Sequence, residues 1–172
     1  MRAFLALLLL AGCTADVDPL SVEDVFELGL SPAVDVLFVV DDSNSMAAIQ
    51  AGVAAAWSSI AGPLAASDWQ IGVTTTDFDD PARRGRLRAF SGDDRVLDPL
   101  DAGQPAGFAA AVSAGVEGST TERGLQAAWA AVTPPLATND NAGLIRDDAR
   151  LAVVFVSDED DCSDPASNPA AS

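Results

Sequence analysis

Histidine, lysine and tyrosine are all missing from this chain, and only two cysteines occur in its 172 residues. Without histidine there is no Ser-His-Asp triad, no imidazole zinc ligand and no imidazole general base. Without lysine there is no P-loop lysine, no Schiff base and no Ser-Lys dyad. The nine basic residues are therefore all arginine, set against 26 Asp and Glu for a net charge of −17. Nucleic acid and anionic lipid surfaces would be repelled by such a chain, so its expected partners are cations, basic surfaces or ligands bridged by a metal. What chemistry remains rests on Asp, Glu, Ser, Thr, Arg and metal, a set that suits binding better than catalysis, and no enzymatic activity is expected.

Apolar residues make up 49% of the chain, enough for a real core. Met1-Arg2 supplies a short positive start, and Ala3 to Ala11 is an apolar stretch too short to span a bilayer. Leu10-Ala11-Gly12-Cys13 follows, and it resembles the bacterial lipobox, in which the cysteine is acylated and becomes the mature N-terminus. Thr14 stands after the cysteine where an Asp would signal retention, which by the same resemblance permits sorting to the outer membrane. The expected product is lipid-anchored and extracytoplasmic, held to the cell envelope through Cys13, with the lipid its only membrane contact. Cys162 then lies in an oxidising compartment with its expected disulfide partner outside this chain.

Residues 36–45 read Val-Leu-Phe-Val-Val-Asp-Asp-Ser-Asn-Ser, an apolar run that stops at consecutive small oxygen-bearing side chains. That pattern predicts a buried strand over about 34–40 delivering hard oxygen ligands to one end of a sheet. The alternation Asp41-x-Ser43-x-Ser45 lets three oxygens point the same way, although Asp and Ser here also suit a turn and helix cap. A helix is expected over about 46–61, with Ile49, Val53, Trp57, Ile60 and Leu64 on its apolar face and Gly62-Pro63 as its breaker. A second strand is expected from Trp69, a short edge strand near Gly85 to Phe90, and helices near 108–114 and 122–132. The second of these would bury Leu125, Ala128, Trp129 and Val132. Arg83, Arg84, Arg86, Arg88 and Arg95 are expected to pair with the acidic middle segment. Leu151 to Val156 reads as another buried strand, ending in Ser157-Asp158-Glu159-Asp160-Asp161.

Strands alternating with helices imply a mostly parallel sheet covered on both faces, with Asp41 and Asp158 converging if their strands are neighbours. Magnesium prefers six oxygens in near-octahedral array, which hydroxyls, carboxylates and waters can supply. Ser43 and Ser45 would ligate directly, and Asp41 and Asp158 would add negative charge. Asp160 and Asp161 stand beyond what this site needs; a second cation and a solvated acidic loop are both open readings of them.

Three pieces in order, Asp41-x-Ser43-x-Ser45, Gly118-Ser119-Thr120-Thr121-Glu122-Arg123-Gly124-Leu125 and Ser157-Asp158, resemble the von Willebrand factor A (vWA) domain and its metal-ion-dependent adhesion site (MIDAS). The resemblance implies a Rossmann-like doubly wound α/β sheet, bound Mg2+ (or Ca2+ or Mn2+), and adhesion to a protein ligand through a metal-bridged carboxylate. Aligned on Gly124-Leu125, Ser119 takes the place of the coordinating Thr and Thr121 that of the second Thr, while a one-residue shift selects Thr120. Ser119 to Glu122 also match a helix capping box. The expected organisation is a lipoprotein signal peptide at 1–12, a tether at 13–31, a vWA-like domain at 32–162 and an irregular tail at 163–172.

Fewer strands can be placed than the family's full sheet has, so the expectation is either a C-terminally truncated domain or an abbreviated sheet with an apolar strand at an unprotected edge. Two other readings compete with adhesion. Val39-Val40-Asp41-Asp42-Ser43 also resembles the acidic pair of phosphoacceptor receiver domains, but those need a lysine, and a haloacid-dehalogenase-type site needs Asp where Ser43 stands. The other is a structural lipoprotein whose metal site is vestigial. Globomycin added to cells expressing the chain should leave a slower-migrating precursor on a gel, and unchanged migration would contradict lipidation at Cys13.

Overall fold

The computed structural model describes residues 33–164. The expected signal peptide, Cys13, the expected tether and the end of the expected tail lie outside the described residues. Three strands form one parallel sheet in the order β2-β1-β3, comprising β1 (Ala33–Val40), β2 (Asp68–Thr75) and β3 (Arg150–Val156). The register sets Val40 between Thr75 and Val156, so all three strands end at one edge. This is an α/β fold with a small open sheet.

Period-two alternation divides the core. Val36, Phe38 and Val40 face one layer with Ile71 and Val73, while Leu37 and Val39 face the other. The first layer is closed by α1 (Ala47–Ala55), α2 (Trp57–Leu64) and α3 (Gln104–Val112), the second by α4 (Gly124–Val132). Phe108 anchors the first layer, its ring 5.3 Å from Phe38 and 5.2 Å from Trp57, which also meets Trp69 edge-on at 6.0 Å. At the opposite end of the sheet Arg146 grips the buried Asp35, its backbone N–H reaching Oδ2 at 2.7 Å and Nε reaching Oδ1 at 2.8 Å. Burial alone would lower the Arg146 pKa, but these bonds and a third to Asp68 raise it.

Four expectations need correction. The helix expected over 46–61 breaks at Ala56, not at Gly62-Pro63, and Pro63 lies inside α2. The turn at Ala56 lets Trp57 rotate onto Phe108 and Trp69, leaving Ile49 exposed while Met46 and Gln50 are buried. The segment 85–90 is not a strand. It follows the outer edge of β2, with the Arg88 N–H on the Val73 carbonyl at 2.7 Å, but the Arg86 carbonyl accepts the Thr74 side-chain hydroxyl at 3.0 Å, and a single main-chain bond does not make a ladder; on its other side the Leu87 N–H is held by Asn141 Oδ1 at 2.9 Å.

On α4 the buried face is Gly124, Ala127, Ala128 and Ala131, whereas Leu125 and Trp129 are exposed. Small residues win because the loop at Gly85 presses against this helix. Gly85 has φ of 78°, and a Cβ there would lie 2.7 Å from the Ala127 carbonyl oxygen. Finally, β3 is not buried among the described residues: Leu151, Val153, Val154 and Phe155 are 37–47% exposed. Among the described residues it is the outer strand, with β1 its one neighbour in the sheet.

Asn141 is the most heavily used buried polar residue of the second layer. It accepts from Leu87 and donates to the Gly85 and Ala131 carbonyls at 2.8 and 3.0 Å. Asn141→Ala leaves three main-chain groups without partners and should cost about 3 kcal/mol in urea-induced unfolding; a loss below about 1 kcal/mol would mean that the 85–90 segment is held by other contacts.

Candidate metal centre

The parallel pairing of β1 and β3 continues one residue past Val40, where the Asp41 N–H donates to the Val156 carbonyl at 2.9 Å. Asp41 is fully buried and uses both carboxylate oxygens. Oδ1 accepts the Ser43 N–H at 2.8 Å, closing a turn, and Oδ2 accepts the Ser157 hydroxyl at 2.7 Å. The turn leads into a short 3-10 segment, Asn44–Met46, pinned by the buried Met46. It leaves the Ser43 and Ser45 hydroxyls 3.4 Å apart, and Ser45 donates to Asp158 Oδ1 at 3.1 Å. Asp41, Ser43, Ser45 and Asp158 thus meet at the carboxyl edge between β1 and β3.

An octahedron with metal–oxygen bonds of about 2.1 Å has edges of about 3 Å, and the Ser43–Ser45 and Ser45–Asp158 separations are close to that spacing. The donors are all hard oxygens, so the residues present fit a small divalent cation. Among the described residues no cluster of three or more Asp, Glu or Cys side chains suits a metal ion, so a cation here would depend on the serine hydroxyls.

The middle loop is tied to this turn through its backbone. The Gly118 N–H donates to the Asp42 carbonyl at 2.8 Å, and a Cβ on Gly118 would fall 2.4 Å from the Asp42 carboxylate, so only glycine permits the approach. Gln50 Nε2 bridges the Asp41 and Gly115 carbonyls, each at 2.8 Å. The Ser119 side chain, however, faces the loop after β2, donating to Asp79 Oδ2 at 2.8 Å and accepting from the Thr121 N–H at 3.0 Å. The capping-box reading of 119–122 fails: α4 begins at Gly124 without a side-chain cap from that loop, and Asp161 Oδ1 accepts the Leu125 N–H at 3.0 Å. Asp161 therefore serves the helix start, and the exposed Cys162 is in no disulfide among the described residues.

Several residues around the site were not assigned to it from the sequence. Arg83 contacts the buried Asp42, with Asp77 and Asp80 each 3.5 Å away. Burial raises the Asp42 pKa, the Arg83 charge opposes that, and Asp77 adds to it. Arg86 pairs with Asp140, whereas Arg84, Arg88 and Arg95 reach main-chain carbonyls. Glu122 accepts the Thr76 hydroxyl, and its Oε1 has no hydrogen-bond partner among the described residues. Burial pushes its pKa up to about 7 against the pull of Thr76, with the charges of Asp41, Asp42 and Glu159 assisting. Gln50 was the most legible of these omissions, a lone long polar side chain in an Ala-rich helix.

Comparison of the chain with protein-family models, with curated proteins and with solved structures finds no match. Among the described residues no helix is long and apolar enough to cross a membrane.

A glutamate whose pKa rises from its ordinary 4.5 to about 7 on folding favours the folded state while protonated. Its contribution is complete below pH 4.5 and disappears as pH climbs through 7, the reverse of ordinary carboxylate behaviour. In EDTA, Glu122→Gln should flatten the fall in stability between these pH values by about 2 kcal/mol, as followed by denaturant midpoints. Wild type and variant falling in parallel would contradict the assignment.

Proposed function

We propose that the chain is a vWA-like module with a MIDAS-type site, carried by an exported lipoprotein, that binds a protein ligand through a divalent cation. The observation that carries this reading is the run of oxygens at one sheet edge, in which Ser157 meets Asp41, Ser43 meets Ser45 and Ser45 meets Asp158. The proposed sheet is doubly wound in the Rossmann-like sense, with the site at the carboxyl edge between β1 and β3, where the strand order changes direction. Ser43, Ser45, Asp41 and Asp158 would hold Mg2+, or Ca2+ or Mn2+, with Ser119 or Thr121 completing the protein's share. When bound, the cation supplies an electrophilic position for a carboxylate of the partner.

The chain's own residues define how that position is presented. Asp41, locked by Ser157 and the Ser43 N–H, fixes the turn. Neutral hydroxyls at 43 and 45 leave more of the cation's charge for the partner than carboxylates would. Arg83 offsets the negative charge of Asp42 and Asp77 behind the turn. The net charge of −17 disfavours nucleic acid and anionic lipid as partners, and Cys13 would provide the envelope anchor. No catalytic residue is proposed.

A second reading, a structural lipoprotein with a vestigial metal site, draws on one observation: the Ser119 hydroxyl is engaged by Asp79 and not by the Asp41–Ser45 turn. Isothermal titration with magnesium, calcium and manganese separates the two. The adhesion reading expects one saturable site per chain, weakened at least about tenfold by Asp41→Ala, with a partner captured from envelope extracts and released by EDTA. Absence of binding by the folded wild type, with Asp41→Ala indistinguishable from it, would leave the vestigial reading.

A further inference from the structure

Beside the oxygen-rich edge lies a separate cavity of about 240 Å3, between the end of β3 and the start of α4. Its walls are largely apolar, formed by Val39, Leu125 and Phe155, and Glu122, Glu159 and Asp161 add three carboxylates to the lining. The close seat of α4 on β3 fixes its shape, since a Cβ on Gly124 would lie 3.2 Å from the Phe155 ring. No arginine lines it.

The three acids are not equivalent. Asp161 is spent on the helix start, accepting the Leu125 N–H and the Ser163 hydroxyl at Oδ1 and the Ser163 N–H at Oδ2. Glu159 is exposed. Glu122 is only 2% exposed, and while Oε2 accepts from Thr76, Oε1 is a buried acceptor with no donor among the described residues. A buried acceptor of this kind carries a desolvation cost that a donor brought by a ligand would relieve.

From the apolar walls, the excess of acceptors over donors and the unpartnered Glu122 oxygen, we infer that this cavity binds a primary alkylammonium, its apolar stem against Val39, Leu125 and Phe155 and its N–H donors toward Glu122 and Glu159. Two sources share that chemistry, a lysine side chain of a partner protein and a free aliphatic amine. A lysine stem buries its methylenes along apolar surface while the head stays with polar groups, which is the division this cavity offers. Asp161 neutralises the positive end of α4, which would otherwise oppose a cation there.

The test uses the full chain in EDTA, so that it is independent of the cation reading at Asp41 to Ser45. Amide NMR spectra are followed while adding Nα-acetyl-lysine methylamide, n-butylamine, or the neutral Nα-acetyl-norleucine methylamide. Saturable shifts confined to amides around Leu125, Phe155 and Glu159 are expected with the amines and not with the norleucine compound. Preference for the blocked lysine over n-butylamine points to a protein partner, the reverse to a free amine. Glu159→Gln, a surface change that leaves the fold intact, should weaken binding about threefold, and Glu122→Gln more. Equal binding of the norleucine compound, unaltered affinity in both variants, or no localised shift with either amine would overturn the assignment.

Discussion

Two hydrogen bonds join the carboxyl ends of β1 and β3, from the Asp41 N–H to the Val156 carbonyl and from the Ser157 hydroxyl to Asp41 Oδ2. Every other feature of the edge follows from them. They carry the parallel register one residue beyond the strands, fix the direction of the Asp41 carboxylate, and so set the turn from which Ser43 and Ser45 project toward Asp158. Removing an acceptor as buried as Asp41 would free the Ser43 N–H and the Ser157 hydroxyl together, so the residue is structural as well as a candidate ligand.

Around that junction the sequence places far more acid than the described arginines neutralise, and the structure manages it unevenly. Arg146 neutralises Asp35 at one end of the sheet and Arg83 neutralises Asp42 near the other. Glu122 has no cationic partner among the described residues, and burial raises its pKa instead. These are two physical answers to the cost of burying a carboxylate, pairing and protonation. Where a carboxylate has no arginine partner among the described residues, as at Asp158, positive charge from outside the chain is the natural complement.

The two apolar strands ending in acid were legible because continuous Val, Leu and Phe followed abruptly by Asp and Ser is a local signal, whereas their adjacency stayed conditional in the sequence and is supplied by the pairing of β1 with β3. The break at Ala56 was not, since nothing in an Ala-rich stretch marks a turn that only the packing of Trp57 requires. Trp129 and Leu125 were misplaced for a related reason. Hydrophobicity alone nominates them as core, but the closeness of the Gly85 loop reserves that face of α4 for alanine and glycine. Nor could the pattern of Leu151 to Val156 reveal that its strand lies at the edge of the described sheet. Asp79 and Arg83, separated from the first motif by about 40 residues, enter the site only through tertiary folding.

Growing crystals of the chain with manganese and collecting anomalous diffraction data tests the central claim most directly. The account predicts one anomalous peak within about 2.2 Å of the Ser43 and Ser45 hydroxyl oxygens, with Asp41 and Asp158 directly bound or one water away. An ordered domain with no peak at that edge, or with manganese only at Asp160 and Asp161, would contradict it.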